Sequence, residues 1–249
     1  ANTFQANEDS TATSCECVAN YEYGYVSCDF QGFGNSQDHL IDDSAESINL
    51  RERNIITVDI DGDGDTDLVT SGAQQLGWVP NTGSGVYGST QQIATSSSNS
   101  FYDVVAADFD GDGDIDLATI EFGWSDGSEG KIRMFVNNGV GNFTESFSLS
   151  RSKGRRLSAA DIDGDGDIDL VCTIYANTLV WLKNPQIGGG SWTSSNTVFV
   201  NNGGLSLPYK LITADMDGDG DIDIMVNDHN SNKLLLYKND GFGDFGPSS

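Results

Sequence analysis

Hydrophobic positions in this chain come in short runs of β-branched and aromatic residues rather than at helical spacing. The runs at 55–58 (IITV) and 68–70 (LVT) flank an acidic, Gly-rich stretch, and a third run follows at 76–79 (LGWV). The same order returns three more times, with third runs at 132–136 (IRMFV), 179–182 (LVWL) and 234–237 (LLLY), each with an aromatic at or near its end. An Asn and a Gly-rich turn come next, as in 138–143 (NGVGNF), and then a weaker fourth run. The acidic stretches begin at Asp59, Asp108, Asp161 and Asp215, so the unit repeats at intervals of 49, 53 and 54 residues. Four short strands per repeat of about fifty residues predict an all-β fold, a small β-propeller of four blades. Residues 1–20 are polar, show no strand run and predict a tail or linker, which leaves 21–249 for the propeller.

Gly-rich turns after an aromatic strand number five, at Gly32/Gly34, Gly83/Gly85, Gly139/Gly141, Gly188 to Gly190 and Gly241/Gly243, against four acidic stretches. One terminal strand is therefore surplus to a closed ring of four. It predicts a partial fifth blade as the main variant, a cap on an edge, or pairing with a neighbouring molecule.

Each acidic stretch is a nine-residue loop with aspartate at every odd position. Five carboxylates so close together repel one another unless a hard divalent cation sits among the oxygens, and calcium, which takes six to eight oxygen ligands at flexible distances, suits the set better than magnesium. The expected ligands are Asp59, Asp61, Asp63 and Asp67 through side chains and Asp65 through its carbonyl. Equivalent roles fall to Asp108, Asp110, Asp112, Asp116 and Asp114, to Asp161, Asp163, Asp165, Asp169 and Asp167, and to Asp215, Asp217, Asp219, Asp223 and Asp221. The loop opens like an EF-hand, with Gly at position six, but position twelve is Thr70, Thr119, Cys172 or Val226 instead of Glu, and the flanks read as strands.

Composition sharpens this picture. The loops hold 20 of the 38 acidic residues and account for most of a net charge of −26, so the acidity is chiefly metal-binding equipment. With 12 Lys and Arg the chain lacks the basic patches that nucleic acid requires, and no apolar run approaches the length that spans a bilayer. The sequence starts at Ala1 without Met or a signal peptide, as expected of a processed secreted protein or a trimmed segment. Four cysteines favour disulfides outside the cytosol: Cys28 is expected to pair with Cys15 or Cys17, leaving the other for Cys172, although a buried thiol is the ordinary state of a strand Cys. Zinc at Cys15-x-Cys17 lacks a second Cys pair, with only His39 and His229 to complete it. Calcium loops and cysteines together predict a secreted or cell-surface protein.

The Asp-x-Asp-x-Asp-Gly-x-x-Asp loop followed by a hydrophobic strand, repeated, resembles the FG-GAP/VCBS repeats of integrin α-subunit head domains and fungal propeller lectins, over roughly Tyr21 to Phe245. The resemblance implies that each loop joins the first two strands of a blade, that calcium, about four ions here, holds their ends together, and that the ligands are the aspartates named above. Relatives commonly have more blades than four. Dockerin units, shorter and helical, and thrombospondin-type repeats, without the strands, fit less well.

No nucleophile–base pair or catalytic motif is present, which argues against an enzyme, although some polysaccharide lyases use calcium propellers. The expected function is a non-enzymatic interaction or structural module, self-associating or bound to another extracellular protein, as in a filament or surface structure. A glycan-binding lectin or adhesin is the alternative. Trp124, Trp192, Tyr209, Phe242 and Phe245 form the aromatic set available to a sugar, whereas Trp78 and Trp181 fall on third strands and are expected in the core. Asn142 begins the single glycosylation sequon, and the Ser-rich stretch 96–100 reads as a flexible loop.

Overall fold

The structure, a computed structural model, describes residues 54–72, 74–97, 99–123, 130–150, 154–174, 178–185, 192, 205 and 208–245, and the backbone alone of 15–20, 25–30 and 197–201. The chain divides into two compact units, 1–41 and 42–249. In the first, β1 (Cys15–Asn20) pairs antiparallel with β2 (Tyr25–Phe30) in a register that sets Cys17 opposite Cys28. The strand β1 falls inside the stretch expected to be a tail. Its backbone partners come from β2, and pairing of that kind leaves no mark on composition. Residues 1–14 and the turn at Gly32/Gly34 lie outside the described residues.

The second unit is all-β and built of four antiparallel sheets, each running strand to strand in chain order, as in propeller blades. The first blade comprises β3 (Asn54–Val58), β4 (Asp67–Ser71), β5 (Gln75–Val79) and β6 (Gln91–Thr95). The second comprises β7 (Ser100–Ala107), β8 (Asp116–Phe122), β9 (Lys131–Asn137) and β10 (Phe143–Ser150). The third comprises β11 (Arg156–Ala160), β12 (Asp169–Ile174), β13 (Thr178–Leu182) and β14 (Thr197–Asn201). The fourth has three strands among the described residues, β15 (Pro208–Ala214), β16 (Asp223–Asp228) and β17 (Lys233–Tyr237).

Burial follows strand position. Middle strands such as β8 and β13 are buried on both faces, and β13 reads as a nearly continuous apolar run, whereas β8 also buries Asp116, Thr119 and Glu121. The outer strand β10 alternates between part-buried and exposed. Three cores join the blades in series. Leu76 and Trp78 of the first meet Phe101 and Val104 of the second. Ile132 and Met134 of the second meet Leu157 and Leu170 of the third, and Leu179 and Trp181 of the third meet Leu211 and Ile224 of the fourth. Trp78 and Trp181 are core residues, as expected. The turn glycines Gly141 and Gly243 pack against these two indole rings so closely that a Cβ on either would overlap the ring.

Polar contacts reinforce the series at the first strands. The buried carboxylate of Asp103 on β7 accepts from Asn54 Nδ2 on β3 (2.5 Å) and from the Leu157 amide on β11 (3.0 Å), so one side chain spans three blades. Burial raises its pKa, and the Leu157 amide and the nearby Arg156 oppose that rise. Cys172 is buried in the core between the second and third blades, and the side chains of Cys15 and Cys17, its expected alternative partners, lie outside the described residues. The Ser-rich stretch, expected to be flexible, is anchored: Ser96 Oγ and Asn99 Nδ2 reach the buried Glu121 carboxylate at 3.4 and 3.1 Å.

Candidate metal centres

Every acidic loop bridges the first and second strands of its blade, starting one residue past the first strand and ending on the first residue of the second. The sharp return is made at position six, where Gly64, Gly113, Gly166 and Gly220 take φ of 92° to 99°, a left-handed conformation strained for any residue with a Cβ. Within each loop the backbone is wrapped around its own carboxylates. Asp59 accepts from the amides of Gly62 (2.9 Å) and Gly64 (3.0 Å), and Asp108 and Asp215 repeat the pair with Gly111 and Gly113 and with Gly218 and Gly220. Asp161 departs slightly, accepting from Asp165 and Gly166. At position five, Asp63, Asp112, Asp165 and Asp219 each accept from the amide two residues on.

The ninth-position aspartate is the structural hub. Asp67, Asp116, Asp169 and Asp223 are fully buried. One oxygen of each accepts from the amide at position two of its loop (Ile60, Phe109, Ile162, Met216; 2.8 to 3.1 Å). The other accepts from the amide of an Asn at or just beyond the end of the third strand (Asn81, Asn137, Asn184, Asn239; 2.6 to 2.9 Å). Burial outweighs these bonds and lifts the pKa of Asp116 and Asp169 to about 6.

Carboxylate oxygens from positions one, three and nine of every loop lie within 4.8 Å of one another: Asp59, Asp61 and Asp67; Asp108, Asp110 and Asp116; Asp161, Asp163 and Asp169; Asp215, Asp217 and Asp223. Positions five and seven stand outside these groups. The set fits a hard cation on its chemistry, all oxygen and all anionic, and on one further observation: Asp61 Oδ1 and Asp163 Oδ1, both at position three, are buried with no hydrogen-bond partner. Burial, followed by repulsion from Asp63 and Asp67, raises the pKa of Asp61, and a bound cation would offset both. A calcium ion there would bind through the triad and join the ends of the first two strands.

Two residue types at the site escaped the sequence reading. The four Asn side chains each donate to the position-eight carbonyl of their own loop (Thr66, Ile115, Ile168, Ile222; 3.0 Å). Three of them also donate across to the preceding loop: Asn137 to the Ile60 carbonyl (2.7 Å), Asn184 to Phe109 (3.0 Å) and Asn239 to Ile162 (2.6 Å). The signal was an Asn at one fixed place in all four repeats. The lysines before two of them also reach the loops. Lys183 Nζ contacts Asp163 and lies 3.2 Å from Asp165, and Lys238 Nζ lies 2.8 Å from Asp217.

Of the aromatic set, Tyr209 and Phe242 are exposed, Trp192 packs edge-on to Phe109 and beside Phe147, and Phe245 leans on the last inter-blade core. Trp124 and His39 lie outside the described residues. His229 is exposed beside Tyr209, and Asn142 is exposed at the start of β10. No helix among the described residues is long and apolar enough to cross a membrane.

Among curated proteins none matches this chain. A solved structure that does resemble it is a lectin of Agrocybe aegerita described as specifically recognising non-reducing terminal N-acetylglucosamine. It has a TM-score of 0.51 and 22% identity over 78% of this chain and 50% of that one, so this chain spans half of the lectin's length. At that identity the likeness is one of fold. The FG-GAP-like repeat profile matches residues 59–119, 121–172 and 161–226. These stretches make up more than half of the sequence and contain all four aspartate loops, and the chain belongs to the FG-GAP-like repeat family.

Proposed function

We propose that this chain is a secreted, calcium-dependent interaction module, a structural or adhesive subunit that works by binding other extracellular molecules and not by catalysis. The observation that carries the reading is the commitment of the carboxylates. Carboxylates at positions one, five and nine are bonded to loop backbone, and those at one, three and nine converge within 4.8 Å of one another, so the chemistry-bearing groups serve to hold strand ends together. An ion held by carboxylates that are themselves fixed by loop backbone at positions one and nine would be structural. Cys17 and Cys28, opposite one another on paired strands, support a disulfide in the first unit, because cross-strand partners have the Cα separation a disulfide accepts.

The test is a calorimetric titration of chelated protein with calcium and magnesium. Saturable calcium binding at several sites per chain, with a rise in melting temperature that magnesium does not reproduce, is the expected result. A melting temperature indifferent to chelator would sink the reading.

Glycan binding is the second reading, favoured by the likeness to the Agrocybe aegerita lectin and by a cleft of about 360 Å³ between the first two blades, lined by Asp59, Ile60, Gly62, Asp114 and Gly139. Sugar sites set an aromatic face beside polar acceptors. Here the exposed rings of Tyr209 and Phe242 belong to the fourth blade and do not line that cleft, and this ranks the glycan reading second. Saturable binding on a glycan array, lost in chelator, would reverse the order.

A further inference from the structure

Each blade interface is built from the same pieces. Four residues before each loop stands an apolar side chain that packs on the preceding blade: Val104, Leu157 and Leu211 are 1%, 5% and 4% exposed in this role. Five residues before each clamping Asn stands one that packs on the following blade: Leu76, Ile132 and Leu179 are all 0% exposed. The polar part is the Asn amide of one blade donating to the position-two carbonyl of the blade before.

At the two ends of the series the same pieces stand open. In the first blade the forward-packing residue Leu76 is buried, but Ile55, the counterpart of Val104, is 50% exposed. Asn81 bonds its own loop at Thr66 and, among the described residues, makes no bond to a preceding loop. In the fourth blade the situation is reversed. Leu211 is buried, but Leu234, the counterpart of Leu76, is 62% exposed, and Ile212 on β15 of the same sheet is 42% exposed. Met216 is only partly buried, whereas its counterparts Ile60, Phe109 and Ile162 are 1%, 2% and 1% exposed, and no Asn side chain among the described residues donates to its carbonyl. One end thus has the donor and the leading apolar residue, and the other has the acceptor and the trailing apolar residue. These are the two halves of a contact that the chain already makes three times.

We propose that the open face of the fourth blade receives the open face of the first blade of a second copy of this chain. Leu234 and Met216 of one copy are buried against Ile55 of the next, and Asn81 of the second donates to the Met216 carbonyl of the first. The inference rests on the reading of the chain as an interaction module and names its partner. The contact is heterologous, so it adds copies in a row until a rotation closes the row into a ring. Aspartate loops line up along the same edge, and calcium is needed to relieve their repulsion across the new junction.

The test uses the full chain in calcium, with Ile55→Glu, Leu234→Glu and sedimentation velocity over a wide concentration range. Both side chains are exposed, so each variant is expected to keep the circular dichroism and calcium-dependent melting of the parent. The parent is expected to grow in mass with concentration, and each variant alone to stay a single chain over the same range. An equimolar mixture of the two is expected to form a pair and stop, because it retains one intact trailing face and one intact leading face. A parent that stays a single chain at every concentration overturns the inference. So does a mixture that assembles no better than its parts, or a variant that still pairs with itself. A single chain that calcium nevertheless stabilises and that binds another extracellular ligand defeats self-docking and leaves the interaction-module reading standing.

Discussion

The loops of the first two blades and those of the last two have the same nine-residue pattern, yet they solve their charge problem differently. Just before the clamping Asn, the first blade has Pro80 and the second Val136, whereas the third has Lys183 and the fourth Lys238. In the first loop no cationic side chain among the described residues offsets the crowding: Asp61 is part-buried beside Asp63 and Asp67 and its pKa is raised, burial being the largest cause. In the fourth the ammonium of Lys238 donates to Asp217, and the pKa of that carboxyl is lowered. Lys183 lies against Asp163 and Asp165 in the same way. An internal cation occupies the position-three carboxylate that a metal would use, so the last two loops are expected to hold their shape better without calcium and to bind it less tightly.

Chelation is the strongest way to break this comparison. Occupancy at a hundred times the dissociation constant is worth about 2.7 kcal/mol per site, so emptying several sites is expected to lower the melting temperature by on the order of 10 °C. Amide exchange in chelator is expected to open the β3–β4 and β7–β8 hairpins before β11–β12 and β15–β16. Uniform opening of all four would show that the lysines do nothing for the empty loops.

The next effect separates what all loops share from what the lysines change. Asp67→Ala leaves the Ile60 and Asn81 amides without their acceptor, at about 1–3 kcal/mol for each buried donor, and the loss persists in chelator because it involves no metal. Asp63→Ala removes a single exposed capping bond and is expected to cost less than about 1 kcal/mol in chelator. Denaturant melts of both variants, and of Asp223→Ala and Asp219→Ala in the fourth loop, check the ranking. A ninth-position cost that vanished in the fourth loop would mean that Lys238 replaces the hub as well as the metal.

The smallest effect concerns the lysines alone. Lys183→Met and Lys238→Met each remove a competing charge and are expected to tighten calcium binding at the altered loop by about tenfold, while Val136→Lys weakens the second loop by a similar factor. Titration calorimetry in low salt resolves the steps. Unchanged affinity in all three variants would leave the two pairs of loops equivalent.

Much of the molecule was legible in its sequence because the signals are local. The strand runs, the interval between acidic loops, the Gly at position six and the burial of Trp78 and Trp181 follow from residue type and spacing within a single repeat. The metal centres were legible to the same depth: aspartate at odd positions of a tight loop must bring carboxylates together whatever surrounds it. Which three of the five converge was decided by tertiary structure, because the ninth aspartate is held by an amide 14 to 21 residues away, beyond a whole strand. The clamp of Asn137 on Ile60 joins residues 77 apart, and no local pattern states that it reaches the neighbouring blade. The strand Cys15–Asn20 formed in a stretch read as a tail for the same reason, since its partner supplies the order its own residues lack. The open ends came only from the fold. Ile55 and Leu234 look like their buried counterparts in sequence, and their exposure is set by the absence of a neighbouring blade on that side among the described residues.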